Sequence, residues 1–435
     1  MEAILIIGGE VRFDSSIDAD ALRRIRDTVG QLLQVKNLAV LIGSGASYHL
    51  GSPAIRSVSA EELDGMVVAA DVALSVEATK VRDALVSKDD GVVDLERLLA
   101  SLSNSLAYAA SVGRESVTIG DDEVSCDAIR ELRRAVNVSL AQACDLPKHS
   151  AIQDDRFRDD PWLAHREFFR RLLRSRRPDL PRVSVFTTNY DLVIERTLDD
   201  AGIPYLDGFT GTVDRVMRLE AYRHDLYLPP QADGRRLVRV PNVLYLYKVH
   251  GSLNWRSTPS PAGLGTSHVT QSGLTTAPDD LALIYPTPHK ESDVLGHPYA
   301  DLLRILSTTL NGLETAIITV GYGFADEHIN RLILQALPSN PTLQVMIVDP
   351  CGVVERAGDQ AQHRFGSSPA ARLAQIADQR VAVLTGEAAC FANLAEATLP
   401  DPDDFAVDES ASLVTALEQA LVGDPVANAE EDETT

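Results

Sequence analysis

Short apolar runs alternate with helical patterns along much of the chain. Most of these runs are apolar throughout, and each is bounded by Gly, Pro or Asn: Leu38–Ile42, Val183–Thr187, Val243–Tyr247, Ala316–Val320 and Leu343–Val348. Continuous apolar runs are typical of strands that are buried on both faces of a parallel sheet. Helical patterns lie between several of them, for example at Asp191–Ala201 and Asp326–Leu337. The alternation predicts an α/β core with a doubly wound, mostly parallel sheet.

Residues 59–175 follow a different pattern, with apolar positions three and four residues apart and few β-branched runs. This spacing predicts a mostly helical insertion after the first strand of the core. A later stretch, Arg256–Asp280, is rich in Ser, Thr, Gly and Pro and predicts a loop. The predicted organisation is a Rossmann-like core that starts in 1–58, a helical insertion in 59–175, the rest of the core in 176–400, and an acidic tail in 401–435 whose last dozen residues are disordered.

The composition is that of an ordinary globular protein, at 45% hydrophobic and 24% charged residues. No apolar run approaches the ~18 residues of a membrane span, and the amino terminus lacks the basic start of a signal peptide. The four cysteines are far apart and form no Cys-x-x-Cys pair, which argues against a disulfide framework and against structural zinc. We therefore expect a soluble, cytoplasmic protein without a membrane partner.

The formal charge is −23, and eleven acidic residues with no Lys or Arg lie between Asp401 and Thr435. The first 400 residues still carry −12, which argues against strong direct binding of nucleic acid. One arginine-rich segment, His165–Arg182, is an exception. Its apolar residues recur at helical spacing, so it is either an amphipathic helix with a basic outer face or a patch that binds phosphate or a partner.

The first strand runs into Gly43-Ser44-Gly45-Ala46-Ser47. Glycines directly after a buried strand allow the backbone to approach a phosphate, which the start of the next helix then stabilises. The motif is incomplete, because Tyr48 stands where a dinucleotide-binding fingerprint has its third glycine, and no Gly-Lys-Ser/Thr of a P-loop follows. A purely structural turn is the alternative.

Polar residues that could bind a ligand or take part in catalysis follow the second and third strands. Asn189 offers an amide donor and acceptor that does not titrate, whereas Asp191 faces the same crevice or simply caps the following helix. His250, beside Gly251 at the end of the third strand, is a candidate general base at neutral pH, and a structural histidine is the alternative.

The fourth and fifth strands end in Gly321-Tyr322-Gly323-Phe324 and in Asp349-Pro350. An acidic residue at such a strand end commonly binds a ribose hydroxyl. Asp326 is expected to start the next helix, and with His328 it lacks a third ligand, so no metal site is predicted.

Taken in order, these five strand ends resemble the sirtuin family, and more closely the sirtuin-like domains of bacterial defence proteins. The resemblance spans Leu38 to Asp349, interrupted by the insertion, and Asn189-Tyr190-Asp191 and His250-Gly251 are its specific part. Gly51-Ser52-Pro53-Ala54-Ile55-Arg56 is similar to the family's Gly-Ile-Pro-Asp-Phe-Arg, with Ala and Ile in place of Asp and Phe.

The resemblance implies that NAD binds in the crevice as a substrate. Asn189 and Asp191 would face the nicotinamide ribose, and His250 would be the base. The other NAD-binding residues that it implies are Gly43, Gly45, Ala46, Ser47, Arg56, Thr188, Gly321, Tyr322, Gly323 and Asp349.

Two departures from the family favour water as the acceptor. The chain has no cysteine between Cys144 and Cys351, so the zinc ribbon that helps to form the acyl-lysine groove of deacetylases is missing, and Ile55 replaces the Phe that shields the reactive sugar. We therefore predict an NAD hydrolase that releases nicotinamide and ADP-ribose. A protein deacylase or ADP-ribosyltransferase, and a non-catalytic NAD- or ADP-ribose-binding regulatory module, are the alternatives.

The resemblance also implies a cellular setting. Defence relatives deplete NAD in an abortive response to phage, and they are held inactive in oligomers or with a partner protein until infection. We expect a homo-oligomer, and a HerA-like DNA-translocating ATPase as a possible partner, because this chain has no nucleotide-hydrolysis motif of its own.

Overall fold

The computed structural model describes residues 1–16, 18–52, 58–69, 74–86, 92–93, 95–120, 122–229, 237–259, 267–272, 281–283, 298–356 and 363–402. Two of the predictions lie outside these residues: the NAD-binding role of Arg56, and all of the acidic tail beyond residue 402.

A large mixed sheet forms the core of the described part of the chain. Its nine strands, in chain order, are β1 (Ile4–Ile7), β2 (Glu10–Asp14), β3 (Asn37–Ile42), β4 (Val183–Thr187), β5 (Tyr205–Leu206), β6 (Leu244–Lys248), β7 (Thr315–Val320), β8 (Gln344–Val348) and β9 (Val381–Thr385). The spatial order is β2-β1-β9-β8-β7-β3-β4-β6-β5, and the seven strands from β9 to β5 are parallel. The antiparallel pairs are β1 with β2 and β1 with β9. The prediction of a Rossmann-like, mostly parallel sheet is confirmed.

Both faces of this sheet are covered, which explains its continuous apolar strands. In β3, Leu38, Val40 and Ile42 pack into one hydrophobic cluster, whereas Ala39 and Leu41 pack into another on the opposite face. Side chains alternate between the two faces of a strand, so every position of a doubly covered strand must be apolar.

The helices of the described residues are distributed over these two faces and one separate cluster. They are α1 (Ala21–Leu33), α2 (Ala60–Ala69), α3 (Val76–Val86), α4 (Leu95–Val112), α5 (Cys126–Ala143), α6 (Asp155–Asp159), α7 (Leu163–Arg174), α8 (Val193–Asp200), α9 (Tyr299–Leu310), α10 (Glu327–Ser339), α11 (Pro369–Ala374) and α12 (Phe391–Asn393). Helices α1, α7 and α8 pack on one face of the sheet, and α9, α10 and α11 pack on the other. None of the helices in the described ranges has the length and apolar character needed to cross a bilayer.

Helices α2 to α5 belong to a third hydrophobic cluster, which we call the insertion cluster. Its buried side chains come from 63–144, together with Tyr190 and Leu253 from the core. Helices α2 to α5, which follow β3 in the chain, therefore bury their apolar side chains together with two side chains of the core. The predicted domain boundaries at residues 58 and 175 stay predictions.

Short elements complete the described structure. A second, five-stranded sheet has the order Phe209–Thr210, Arg215–Met217, Ser267–Gln271, Gly251–Pro259 and Leu281–Leu283. Four two-stranded pairs join Val58–Ser59 with Val92–Val93, Ser116–Ile119 with Asp122–Ser125, Tyr227–Leu228 with Val238–Arg239, and Val354–Arg356 with His363–Phe365. Ser44–Leu50, His149–Ala151, Leu219–Arg223 and Glu387–Ala389 are 3₁₀ helices, and Leu394–Thr398 is a π-helix.

The second sheet corrects one prediction. Within Arg256–Asp280, which composition predicts as a loop, residues 256–259 and 267–271 are strands that pair antiparallel with each other. Trp255, at the start of this pairing, is 1% exposed and anchors the sheet to the core. Burial of this ring and cross-strand pairing outweigh the weak strand propensity of a Ser- and Gly-rich segment.

Candidate functional site

The centre of the candidate site lies where the strand order reverses. The chain adds β4 on one side of β3 and later returns to add β7 on its other side. The loops that follow β3 and β7 are in direct contact, since Gly45 N donates a hydrogen bond to Gly321 O at 3.0 Å and Gly43 N donates to Val320 O at 2.9 Å. In open α/β sheets, such a switch point at the carboxyl ends of the strands is where ligands bind.

Three of the predicted NAD-binding glycines are required by this contact itself. Gly321 has φ of +60°, and a Cβ there would lie 2.2 Å from Ala46 N. A Cβ at Gly43 would lie 2.5 Å from Gly321 O, and one at Gly45 would lie 2.9 Å from Gly321 Cα. Packing between the loops is therefore sufficient to explain all three glycines, which is what the alternative of a purely structural turn proposes. At Gly323 a Cβ would meet no atom within 4 Å, so packing against the described residues does not require a glycine there.

The segment after β3 differs from the predicted strand-to-helix turn. A seven-residue 3₁₀ helix, Ser44–Leu50, follows the strand instead of an α-helix. Because this helix is short, the aligned peptide dipoles invoked for pyrophosphate binding are few. Ala46 and Ser47 are buried at 0% and 1% exposure, so their side chains face the protein interior.

Ser47 instead joins a buried polar cluster with Asn189 and Asp191. The Ser47 hydroxyl donates to Asp191 Oδ2 at 3.2 Å, and Asn189 Nδ2 lies 3.4 Å from Ser47 Oγ. The Asn189 backbone N–H donates to Thr187 Oγ1 at 3.0 Å, which fixes the residue at the end of β4. Asn189 Oδ1 is buried and has no hydrogen-bond partner among the described residues. A buried amide oxygen of this kind needs a donor, and a ligand hydroxyl or a water can supply it.

Asp191 is buried and makes hydrogen bonds both to the start of α8 and within the cluster. Its Oδ1 accepts a hydrogen bond from Val193 N at 3.0 Å at the start of α8, and its Oδ2 binds Ser47 within the cluster. Burial raises the pKa of Asp191, against the opposing effect of the nearby Lys248 ammonium. Lys248 is 3% exposed, and its Nζ donates both to the Asp191 carbonyl and, at 2.7 Å, to Glu195 Oε1.

His250 pairs with an acidic residue for which the sequence predicts only the start of a helix. His250 Nε2 lies 2.8 Å from Asp326 Oδ2, and each side chain is 6% exposed. Asp326 is also the N-cap of α10, because its Oδ1 accepts hydrogen bonds from His328 N and Ile329 N. Its position just after Gly321-Tyr322-Gly323-Phe324, at the same edge of the sheet as His250, is the signal that could have predicted this pair.

The remaining predicted residues are placed at the same edge with different roles. Tyr322 is buried, and its hydroxyl donates to Asn330 Oδ1 at 2.9 Å. The Thr188 backbone N–H donates to Ile42 O at 3.2 Å, which ties the end of β4 to β3. Asp349 directly follows β8, whose end lies two strand spacings or ~10 Å from that of β3. Its Oδ1 accepts a hydrogen bond from Cys351 N, and burial raises its pKa.

The structure thus brings Ser47, Asn189 and Asp191 into one hydrogen-bonded cluster, with His250 nearby. The His250 ring centroid is 6.3 Å from that of Tyr190, which lies between Asn189 and Asp191 in the chain. Asp349 lies farther along the edge. Within the described ranges, no group of three or more His, Cys, Asp or Glu side chains is arranged to hold a metal ion.

The arginine-rich segment lies in amphipathic helix α7 as far as Arg174, and its basic side chains bind the chain itself. Phe168, Phe169, Leu172 and Leu173 of α7 are buried. Arg166 forms ion pairs with Asp160 and Asp200, Arg170 and Arg171 both pair with Asp401, and Arg182 pairs with Asp225. These arginines thus serve intramolecular contacts, and Asp401 is held against α7 at the start of the acidic tail.

Comparison with protein families matches residues 183–367 to the SIR2-like domain. The matched segment starts at β4 and contains Asn189, His250 and Asp326, whereas the loop after β3 lies outside it. The match supports a sirtuin-like domain, and SIR2-like domains use NAD as a substrate. No curated protein matches the chain.

Proposed function

We propose that this chain is an NAD hydrolase that cleaves the bond between nicotinamide and ribose. The observation that carries the proposal is that Asn189 and a buried histidine, His250, lie at the same sheet edge. The buried Oδ1 of Asn189 has no partner in the described residues. The family match at residues 183–367 supports NAD as the ligand of this edge.

The residues suffice for the chemistry. When the C1′–N bond breaks, its electron pair leaves with the pyridinium nitrogen, and nicotinamide departs as a neutral molecule. No general acid is needed, unlike in ordinary glycoside hydrolysis, although the sugar passes through a similar oxocarbenium-like transition state. A water then forms the new C1′–O bond and gives up a proton.

We assign Asn189 to orient the ribose and the water, and His250 to accept the proton. Asp191 positions Asn189 through their common partner Ser47, which hydrogen-bonds to both. The cluster is almost excluded from bulk water, which strengthens electrostatic interactions with a developing positive charge on the sugar.

The test is NAD consumption by the purified protein, with nicotinamide and ADP-ribose resolved by chromatography. His250→Ala should lower kcat by roughly 10²–10⁴-fold, the range of a positioned base, and Asn189→Ala should lower it by roughly 10²-fold or more because the ribose and the water lose their orientation. His224→Ala is the matched control, because His224 is exposed and lies outside the cluster. Turnover that survives in both site variants would refute the assignment.

The same assay separates the alternatives. Nicotinamide release that depends on an acyl-lysine peptide would favour a deacylase, and transfer of ADP-ribose to protein would favour a transferase. Tight NAD binding by calorimetry, without turnover by the chain alone or with an added partner, would favour a regulatory binding module.

We extend the proposal to an antiphage role, in which an oligomer of this chain, held by a partner such as a HerA-like ATPase, depletes cellular NAD on infection. The basis is the sequence resemblance and the need to restrain such an activity. Phage challenge of cells that express wild-type protein or His250→Ala should show NAD loss and protection only with the wild type. Equal protection by both would refute this role.

A further inference from the structure

The contact between His250 and Asp326 joins two strand ends that are not neighbours. In the sheet, β3 and β4 lie between β7 and β6, so three strand spacings, or ~14 Å, separate the ends of β7 and β6. The six residues from Gly321 to Asp326 can span at most ~20 Å, which is enough to cross the ends of β3 and β4. The loop after β7 therefore carries a carboxylate across the candidate site to the histidine.

The Asp326 carboxylate is held on both sides. Oδ1 accepts hydrogen bonds from His328 N at 2.8 Å and Ile329 N at 3.0 Å, and Oδ2 lies 2.8 Å from His250 Nε2. The Tyr322 hydroxyl also lies 3.3 Å from the Asp326 carbonyl oxygen. Capping of α10 uses only Oδ1, so it does not explain why the second oxygen meets the imidazole.

We propose that Asp326 is a positioning residue that sets the tautomer of His250, an inference that rests on the proposed hydrolase. An ionised carboxylate only accepts hydrogen bonds, so Nε2 carries the proton and Nδ1 carries the lone pair that takes a proton from water. The carboxylate then stabilises the imidazolium that this transfer creates, as the acid of a Ser-His-Asp triad does for its histidine. Asp326 itself neither touches the substrate nor changes its own protonation.

Asp326→Asn is the discriminating variant. Asn is as good an N-cap as Asp, so α10 keeps its first turn. The amide Nδ2 is a donor, however, and it turns towards Nε2 when Oδ1 keeps the cap. Nε2 must then accept, and the proton moves to Nδ1, the nitrogen that the reaction needs as its base. Asp154→Asn is the matched control, because Asp154 caps α6 through Arg156 N on an exposed surface.

We expect Asp326→Asn to lower kcat by roughly 10²–10⁴-fold, with KM within about threefold of wild type. The acidic limb of the kcat–pH profile should move to lower pH, because the imidazolium loses its carboxylate. Asp326→Glu, which restores a carboxylate, should recover part of the rate, whereas Asp154→Asn should match wild type. A kcat within threefold of wild type for Asp326→Asn, with an unchanged pH profile, would overturn the proposal.

A second measurement needs no turnover. In long-range ¹H–¹⁵N spectra of protein with ¹⁵N-labelled histidine, the His250 signals are assigned by their loss in His250→Gln. Wild type should show the Nε2-protonated ring, and Asp326→Asn the Nδ1-protonated ring. An Nδ1-protonated ring in wild type would refute the dyad. If wild type hydrolyses no NAD yet shows the expected tautomers, the proposed function fails and the dyad stands.

Discussion

Replacing Lys248 with Met should strongly destabilise the protein, because it leaves the Glu195 carboxylate buried without its ion-pair partner. Lys248 is 3% exposed and Glu195 is 7% exposed, and 2.7 Å separates Lys248 Nζ from Glu195 Oε1. At an effective dielectric constant of 20, Coulomb's law gives about 6 kcal/mol for two unit charges at this distance. Desolvation offsets much of that, but removal of one partner leaves the other charge buried, at a cost of about 3–5 kcal/mol.

That cost is large beside the total folding free energy of about 5–15 kcal/mol. The double variant Lys248→Met/Glu195→Met removes both charges and fills a similar volume, so it should be more stable than either single variant. Urea unfolding followed by the fluorescence of the two tryptophans measures all four proteins of the cycle. If the losses of unfolding free energy in the two single variants simply add in the double variant, the buried ion pair is refuted.

The stability that Lys248→Met loses relative to wild type should depend on pH in a definite direction. Burial raises the pKa of Glu195 above 4.5, and Lys248 opposes that effect. In Lys248→Met the opposing charge is gone, so the folded-state pKa rises further. A carboxyl with a raised folded-state pKa costs no stability below its unfolded-state pKa, and the cost grows as pH rises through the folded-state value. The deficit of Lys248→Met relative to wild type should therefore be larger at pH 8 than at pH 5.5, and a deficit that shrinks with rising pH would contradict this account.

Two further predictions concern loop packing and acid sensitivity. Gly321→Ala should lower the urea midpoint and abolish NAD binding, because a Cβ at φ +60° would meet Ala46 N at 2.2 Å. Gly323→Ala is the control and should fold as wild type, since a Cβ there meets no atom within 4 Å. Equal midpoints of the two variants would contradict the packing between the loops. Burial lowers the pKa of His49 from 6.5 to about 4 and that of His165 well below its usual value. The folding stability that the two neutral imidazoles contribute above pH 6.5 should therefore be lost as pH falls towards 4. His165→Phe should lose less stability than wild type between pH 7 and 4.5 in urea unfolding, and an equal loss would refute this.

The core strands were predictable because burial on both faces leaves a continuous apolar run. Val183–Thr187 is found with the predicted bounds, and the predicted helices Asp191–Ala201 and Asp326–Leu337 are found as Val193–Asp200 and Glu327–Ser339. The strands within Arg256–Asp280 were missed because their stability comes from antiparallel pairing and from a buried Trp255, which composition does not reveal.

The common placement of Asn189, Asp191 and His250 at one sheet edge was predictable, but their contacts were not. Asn189, Asp191 and His250 follow strands, and parallel strands place their carboxyl ends at one edge of the sheet. The pairing of His250 with Asp326 joins residues 76 positions apart, and the capping role of Asp326 is a complete local explanation that conceals it. Likewise, the mutual packing of Gly43 and Gly321 depends on which two strands become neighbours of β3.

The insertion cluster buries two side chains from the segments that carry the site residues. Tyr190, between Asn189 and Asp191, and Leu253, three residues after His250, are both buried among the side chains of α2 to α5, and Leu253 N donates to Tyr190 O at 3.0 Å. Displacement of these helices must empty the pockets that hold the two side chains, and so release the segments that carry the amide and the imidazole. By thermodynamic linkage, a ligand that orders those segments stabilises the helices by the same free energy with which the helices favour the ligand. The packing of the insertion cluster and the order of the site segments are thus thermodynamically coupled.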